Sequence, residues 1–413
     1  MAVVKREEAN ANPFAGFVQN TRRRVVQGDL GSLPILLGLV LIAIVFQLTN
    51  ANFLTPVNLT NLMVQLAAVG TISVGVVLVL LIGEIDLSVG AVSGFTAAIM
   101  AVLSVKAGWP GPLAALAAVV AGVAIGLFQG FWFARLHVPS FVVTLAGQLG
   151  WNGALLFTLG ETGTLNLTDP FLVGIANARL SVWLGWALAV LFVGVFIYSQ
   201  LHDRVERLRA GADAPSMGTL VGRVLPVAAA VLIAVAIMNI NRNPNPKGTA
   251  IVGVPSAVLV FLAFVVVFDF ITKRLSFGRH IFAVGGSAEA ARRAGINVER
   301  VRIQVFMLCS ALAACGGVLA GSRLLAVNQA SGSGDILLDA IAAAVIGGTS
   351  LFGGRGSTWA ALLGALVIQS ISNGMDLNAF SSSIKFMVTG AVLLLAVTID
   401  AVARSRRQAT GRS

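Results

Sequence analysis

The sequence predicts an all-α polytopic membrane protein. Of its 413 residues, 57% are hydrophobic and only 11% are charged, whereas soluble domains carry about 25% charged residues. The apolar residues also recur in runs of about the length that a membrane helix needs, ~20 residues. These runs are too long and too continuous for the alternating strands of a membrane β-barrel. A bilayer is therefore the expected solvent.

Twelve apolar runs are candidate membrane helices, and we expect about 10–12 transmembrane helices from them. The first run follows a basic tail that contains Arg22, Arg23 and Arg24, but no small-residue cleavage site comes after it. A retained helix is therefore predicted rather than a cleaved signal peptide. The twelve runs are 33–48, 62–82, 87–105, 112–134, 140–159, 182–201, 224–240, 254–272, 303–326, 337–350, 358–375 and 384–402.

The positive charges indicate how these helices are oriented. Counted over alternate connections, 22 of the 28 Lys and Arg residues fall on one side, which the positive-inside rule assigns to the cytoplasm. The predicted organisation is a cytoplasmic tail at 1–32, a transmembrane domain at 33–402 with a large cytoplasmic loop at 273–302, and a cytoplasmic tail at 403–413. The net charge of +11 is scattered between apolar runs, so no nucleic-acid partner is expected.

The segment 83–90, which reads GEIDLSVG, places two acids and two glycines between two apolar runs. It is too short for an ordinary loop and too polar for a continuous membrane helix. Irregular backbone at membrane depth is tolerated only where protein or a water-filled cavity covers it. Two interpretations remain open: a break between half-helices that lines a pathway, and a tight interfacial hairpin.

The segment 346–354 aligns without gaps to 82–90, with Ile, Gly, Leu and Gly at matching positions. Glycine-interrupted hydrophobic segments in two halves of a chain are typical of the central site of a transporter. The sequence therefore predicts two related halves, in either parallel or inverted orientation. The candidate pathway residues are Glu84, Asp86, Ser88, Gly90, Gly347, Thr349 and Gly354.

The large loop at 273–302 contains seven basic residues and a short predicted helix. Ser287 is a suitable N-cap, 288–294 is the expected body, and Gly295 is the expected stop. The helix is either a docking element for a cytoplasmic partner or part of a basic loop that only sets the orientation.

Three stretches resemble the sugar permeases of ABC importers, the ribose/xylose type that is related to branched-chain amino-acid permeases. They are GEIDLSVG at 83–90, the loop glycines with Glu-Ala-Ala at 289–291, and LDAIAAAVIGGTSLFGGRGS at 338–357. The entry to the fifth run at 138–141 and the extra helical pair around 182–240 are most similar to the D-xylose branch. The resemblance runs from about residue 35 to about residue 402.

The resemblance implies a type II ABC importer permease that moves a monosaccharide, D-xylose, across the bacterial inner membrane. The implied partners are an ATPase subunit with two nucleotide-binding halves, a periplasmic sugar-binding protein, a second copy of the chain and the surrounding lipid. The short loop helix is similar in role to the coupling helix that sits in a groove of the ATPase. The residues implied in that role are Ser287, Glu289, Ala290, Ala291, Arg292, Arg293 and Gly295.

The chain is not expected to be an enzyme or to bind a metal or cofactor, with ATP and Mg on the partner subunit. None of its five lysines follows a glycine, so the Gly-Lys-Ser/Thr phosphate loop of ATPases is missing. A membrane enzyme is disfavoured because neither HExxH nor GxSxG occurs. The alternatives are an ion-coupled secondary transporter, for which Glu84 and Asp86 are the available acids, and an ABC permease for ribose, another sugar or a branched-chain amino acid.

Overall fold

The computed structural model describes residues 33–409 except 246 and 334, and for residues 33, 162, 396, 399, 400 and 402–409 it describes the backbone alone. The predicted tail at 1–32 and the chain end at 410–413 lie outside the described residues. Within the described part the regular secondary structure is helical apart from one two-stranded antiparallel ribbon, β1 with β2. The last helix continues through 403–409, into the segment predicted as the second tail.

The helices and strands follow in chain order. The first half contains α1 Leu33–Thr49, α2 Pro56–Leu81, α3 Val89–Ala101 with a π-helical turn Val102–Lys106, α4 Gly111–Arg135, α5 Ser140–Leu159, β1 Thr164–Asn166, α6 Pro170–Asn177 and α7 Val182–Arg209. The second half contains α8 Met217–Met238, α9 Ser256–Arg274, α10 Ser276–Gly286, α11 Ala288–Arg293, α12 Val298–Leu324, β2 Ala326–Asn328, α13 Asp335–Ile346, α14 Thr358–Leu377 and α15 Ser382–Ala409.

Every one of the twelve predicted runs coincides with a helix. Nine helices in the described part are long and apolar enough to cross a membrane. The first and last runs correspond to shorter apolar helical stretches, Pro34–Thr49 and Ser382–Leu395. The run predicted at 337–350 becomes α13, whose 12 residues end at Ile346, because the glycines that follow release the backbone from the helix. The multi-pass helical fold is confirmed.

Sequence signals explain where several helices begin. Thr55 caps α2 by accepting a hydrogen bond from the Asn58 amide at 3.4 Å, and Pro56 occupies the first helical turn, where its missing N–H costs nothing. Because of Thr55 and Pro56, the helix begins at residue 56, six residues before the predicted start at 62. Ser181 and Ser216 cap α7 and α8 in the same way.

The core of the larger unit is built around α12, which packs against α2, α3, α4 and α6. The contact with α4 depends on three glycines of that helix, Gly122, Gly126 and Gly130. A Cβ at Gly122 or Gly126 would overlap the α12 backbone at Ser310 and Phe306. Small residues allow helix backbones to approach closely in lipid, where van der Waals packing drives association.

Residues 179–254 form a second compact unit. It contains α7 and α8, the extra helical pair predicted at 182–240, and the two helices pack against each other. The last turns of α7 carry exposed Arg207 and Arg209. Pro226 lies inside α8, which is tolerated where neighbouring groups satisfy the freed backbone.

In the larger unit, helix ends that the charge count assigns to the same side lie together. The C-terminal residue of α4, Arg135, pairs with Glu299 in the first turn of α12 at 3.2 Å. Lys106, which the count assigns to the opposite side, donates to the carbonyl of Leu159 at 3.1 Å. The alternation of helix directions thus agrees with these contacts.

Candidate functional site

The two segments that the sequence paired, 82–90 and 346–354, lie against each other in the folded chain. The connection 82–88 joins α2 to α3, and the connection 347–357 joins α13 to α14. The Gly354 amide donates to the Leu81 carbonyl at 2.9 Å. A Cβ added at Gly353 would lie 2.9 Å from the Gly83 nitrogen, and both glycines have positive φ, +81° and +80°. The structure therefore favours a protein-covered break over an interfacial hairpin.

Asp86 and Ser88 form a buried hydrogen-bonded cluster with Gln129 from the last third of α4. Asp86 Oδ1 accepts from the Ser88 amide at 2.8 Å and from the Ser88 hydroxyl at 2.6 Å. Ser88 Oγ in turn accepts from Gln129 Nε2 at 2.9 Å. The three side chains are exposed by 2% or less. The cluster thus fixes the start of α3 against α4.

The second carboxylate oxygen of Asp86 is the unusual atom of this cluster. No nitrogen or oxygen donor of the described residues reaches Asp86 Oδ2, and the Cys309 thiol from α12 lies against the carboxylate. Because a buried acceptor without a partner is costly, Asp86 Oδ2 is suited to receive a donor from a passing ligand or water.

An aromatic wall borders the polar cluster. Trp151 of α5 stacks on Phe95 of α3, with ring centroids 5.8 Å apart and an interplanar angle of 8°. Phe128 of α4 meets Trp151 edge-on at 6.2 Å. The indole Nε1 of Trp151 is buried and has no hydrogen-bond partner among the described atoms. A Cβ at Gly147 would overlap Gln129 Nε2, so this glycine admits the amide between the helices.

Glu84 has a different environment from Asp86. Its Oε2 accepts from the Ser140 hydroxyl, at the start of α5, at 2.7 Å, and its Oε1 accepts from Arg302 of α12 at 3.1 Å. The Arg302 guanidinium lies 4.7 Å from the centroid of the Phe133 ring. Glu84 therefore joins three parts of the chain.

The remaining candidate pathway residues are explained largely by close packing. A Cβ at Gly347 would overlap the Ala360 carbonyl of α14, and one at Gly90 would lie 2.7 Å from the Gly332 carbonyl oxygen. Thr349 is fully buried beneath Gly356, and its hydroxyl has no partner among the described atoms. A role of these residues in a pathway stays a prediction.

The predicted loop helix is present as α11. Ser287 caps it by accepting from the Ala290 amide at 3.2 Å. Gly295 ends the turn with a φ of +83°, a conformation that glycine adopts without strain. Ala291 is buried against the protein, whereas Glu289 and Arg293 are exposed and paired. The capped helix and its glycine stop are confirmed, and Ala291 anchors the helix instead of facing a partner.

The helix before α11 reaches the two paired segments directly. A Cβ at Gly285, near the end of α10, would overlap the Leu81 carbonyl oxygen and would lie 2.7 Å from the Gly354 nitrogen. The backbones of α10, α2 and the connection 347–357 are therefore in van der Waals contact. A displacement of α10 would therefore be transmitted to both connections.

Comparison with known proteins identifies the family. The profile of the family described as branched-chain amino acid transport system / permease component matches residues 58–397. The chain belongs to this permease family. The xylose transport system permease protein of Escherichia coli strain K12 is 37% identical over 358 residues, which are 87% of this chain and 88% of that protein.

Two further relatives are similar over most of the chain. The xylose transport system permease protein of Haemophilus influenzae is 33% identical over 373 residues, 89% of this chain and 96% of its own. The ribose import permease protein of Escherichia coli strain K12 is 33% identical over 364 residues, 88% of this chain and 91% of its own. No solved structure matches the chain. The resemblance drawn from the three motifs is confirmed.

Sequence reasoning missed two residues of this permease that the structure makes prominent. Gln129 is a single amide in the apolar run 112–134, and a buried polar group at that depth is a signal in itself. Arg302 was counted as one of seven basic residues in the loop. No local signal distinguishes it, because all seven satisfy the positive-inside pattern equally well.

Proposed function

We propose that the chain is the transmembrane permease subunit of an ATP-driven ABC importer for D-xylose. The observation that carries the proposal is the contact of α10 with both breaks. An importer driven by an ATPase in the cytoplasm needs a contact that transmits movement from the cytoplasmic surface to the transmembrane helices. The identity to xylose permeases over most of the chain supports a pentose. The ribose relative, at 33%, supports the same sugar class.

The energy source of the proposed importer is a partner. Because the chain has no Gly-Lys-Ser/Thr phosphate loop, we assign ATP and Mg to a separate ATPase subunit with two nucleotide-binding halves. The exposed side chains of Glu289, Arg292 and Arg293 on α11 would contact that subunit. With the basic side of the chain in the cytoplasm, α11 faces the compartment that contains ATP.

The remaining partners belong to the same proposal. A periplasmic sugar-binding protein would deliver D-xylose, a second copy of the chain would complete the pathway, and lipid would surround the apolar outer helices. The chain is a multi-pass protein of the bacterial inner membrane with both termini in the cytoplasm. It binds no cofactor or metal and catalyses no reaction itself.

Within the pathway, Asp86, Ser88 and Thr349 are the polar groups assigned to sugar hydroxyls or water. Asp86 Oδ2 and the Thr349 hydroxyl are buried without described partners, so each gains a hydrogen bond when a hydroxyl passes. The stacked Trp151 offers an apolar ring face of the kind that packs on a sugar. Glu84 is ion-paired with Arg302, which disfavours it as the proton or ion relay of a secondary transporter.

Transport of radiolabelled D-xylose into proteoliposomes tests the proposal. The vesicles contain this chain and the ATPase subunit, with the binding protein added outside and ATP trapped inside. Uptake is expected to require all three proteins and ATP, and to persist when a protonophore and a sodium ionophore are added. Uptake by the chain alone along an ion gradient would refute the importer. Competition by unlabelled ribose, other sugars and leucine identifies the substrate class.

A further inference from the structure

Glu84 and Arg302 connect the segment 83–90 to the helix that follows the docking element. They are 218 positions apart in the chain, and their side chains meet at 3.1 Å. Both are mostly buried, with 18% and 22% of the side chain exposed. Glu84 is the only carboxylate paired with Arg302 among the described residues. The pair is therefore specific, and water screens it less than a surface ion pair.

The connection from the docking helix to Arg302 is short. After α11, the Ile296 amide donates to the Ala291 carbonyl at 3.0 Å, and Asn297 caps α12 by accepting from the Arg300 amide at 2.9 Å. Arg302 lies four residues beyond Val298, or about 6 Å along the helix axis. A tilt of α11 would therefore move Arg302, because only a hydrogen-bonded turn and one turn of helix separate the two.

The other side of the pair reaches α5. Ser140 begins this helix and donates to the second oxygen of Glu84 at 2.7 Å. Ser140 and Thr144 are buried near this end of α5, whereas most of the opposite face of the helix is exposed in the chain. The Phe133 ring beneath the guanidinium fixes the position of Arg302 against α4, as cation–π contacts do.

From this geometry we infer that Arg302 is the positioning residue that couples docking-helix movement to the break at 83–90, through its ion pair with Glu84. The inference rests on the proposed function, because it assigns α11 to the ATPase interface. The pair holds the break and the start of α5 to α12, so that the three move together. Arg302 touches no sugar in this role and acts through Glu84.

The test measures sugar uptake and ATP hydrolysis separately in proteoliposomes that contain the complete complex. Arg302→Gln and Glu84→Gln are each expected to lower the number of sugars moved per ATP at least fivefold, with ATP hydrolysis retained. Arg302→Lys keeps the charge and is expected to restore most of the ratio. The double variant is expected to be no worse than either single variant, because both remove one interaction.

The ion pair between Arg135 and Glu299 is the matched control. It joins α4 to α12 on the same side and does not involve the segment 83–90, so Arg135→Gln is expected to keep the wild-type ratio. A ratio within twofold of wild type in Arg302→Gln, or a double variant that is additively worse, would overturn the inference.

Two outcomes separate this inference from the proposed function. If the wild-type complex shows no ATP-driven uptake, the importer itself is refuted. If wild type transports and Arg302→Gln fails to assemble, Glu84→Gln decides, because its amide oxygen still accepts from Ser140. A wild-type ratio in Glu84→Gln would then reject the coupling role while leaving the importer intact.

Discussion

Replacing Ser88 by alanine tests whether the buried cluster holds the break at 83–90 in place. Ser88 Oγ donates to Asp86 at 2.6 Å and accepts from Gln129 at 2.9 Å. Its removal deletes a hydrogen bond to an acid, worth ~1.5–3 kcal/mol, and leaves the Gln129 amide unpaired at ~1–3 kcal/mol. We expect Ser88→Ala to lower the free energy of unfolding by about 3–5 kcal/mol.

Ser93→Ala is the matched control, since Ser93 is also a buried serine in the same region of α3. Its hydroxyl donates only to the Gly90 carbonyl at 2.7 Å, so the expected loss is ~0.5–1.5 kcal/mol. Reversible chemical unfolding in detergent, followed by tryptophan fluorescence, measures both variants. Combining Ser88→Ala with Gln129→Leu completes a double-mutant cycle, with an expected coupling of ~1–3 kcal/mol. Equal losses for the two serines, or no coupling, would contradict the cluster's role.

Three further predictions concern the docking helix, helix packing and the acid in the break. Glu289→Arg and Gly295→Pro should abolish uptake without preventing membrane insertion. Glu289 is exposed, and proline cannot adopt the positive φ of Gly295. Glu206→Arg, in another exposed helical pair, is the control, and normal uptake by either docking variant would reduce the loop to a topological anchor. Gly126→Ala should destabilise the fold by ~1–3 kcal/mol, because its Cβ would overlap the Phe306 carbonyl. Gly150→Ala is the control, because no atom lies within 4 Å of the added Cβ, and it should stabilise α5 by ~0.5–1 kcal/mol. If the melting curves of the Gly126→Ala and Gly150→Ala variants coincide, the backbones of α4 and α12 do not pack as described. Asp86→Asn should slow uptake by about tenfold or less while its ATP requirement and ionophore resistance stay unchanged. Appearance of ionophore sensitivity would instead favour ion coupling.

The helices of this protein were predictable because the bilayer imposes a simple local rule. Backbone polar groups in lipid must be satisfied within a helix or a closed barrel, so apolar length alone locates the segments. The bounds were less predictable. Thr55 and Pro56 start α2 before the apolar run does, and glycines end α13 at Ile346, where the hydropathy pattern continues to residue 350.

The short helix α11 was also predictable, since its capping serine, short body and terminal glycine are adjacent in sequence. The position of Ala291 was not, because which side of a short helix faces the protein depends on what it packs against. The role of Glu84 was not predictable either. Sequence grouped it with Asp86 as one of two acids, whereas the fold gives Glu84 an arginine and Asp86 a serine and a glutamine.

By itself, the sequence determined the class of protein, the positions of the helices and the similarity of the segments 82–90 and 346–354. These follow from composition and from spacing along one stretch of chain. Only the tertiary structure decided that the two segments are in contact, that α10 contacts both, and that Glu84 pairs with Arg302. Such contacts depend on the close packing of α2, α4 and α12 through their small residues. Because these helices are far apart in the chain, no local sequence pattern identifies which side chains meet.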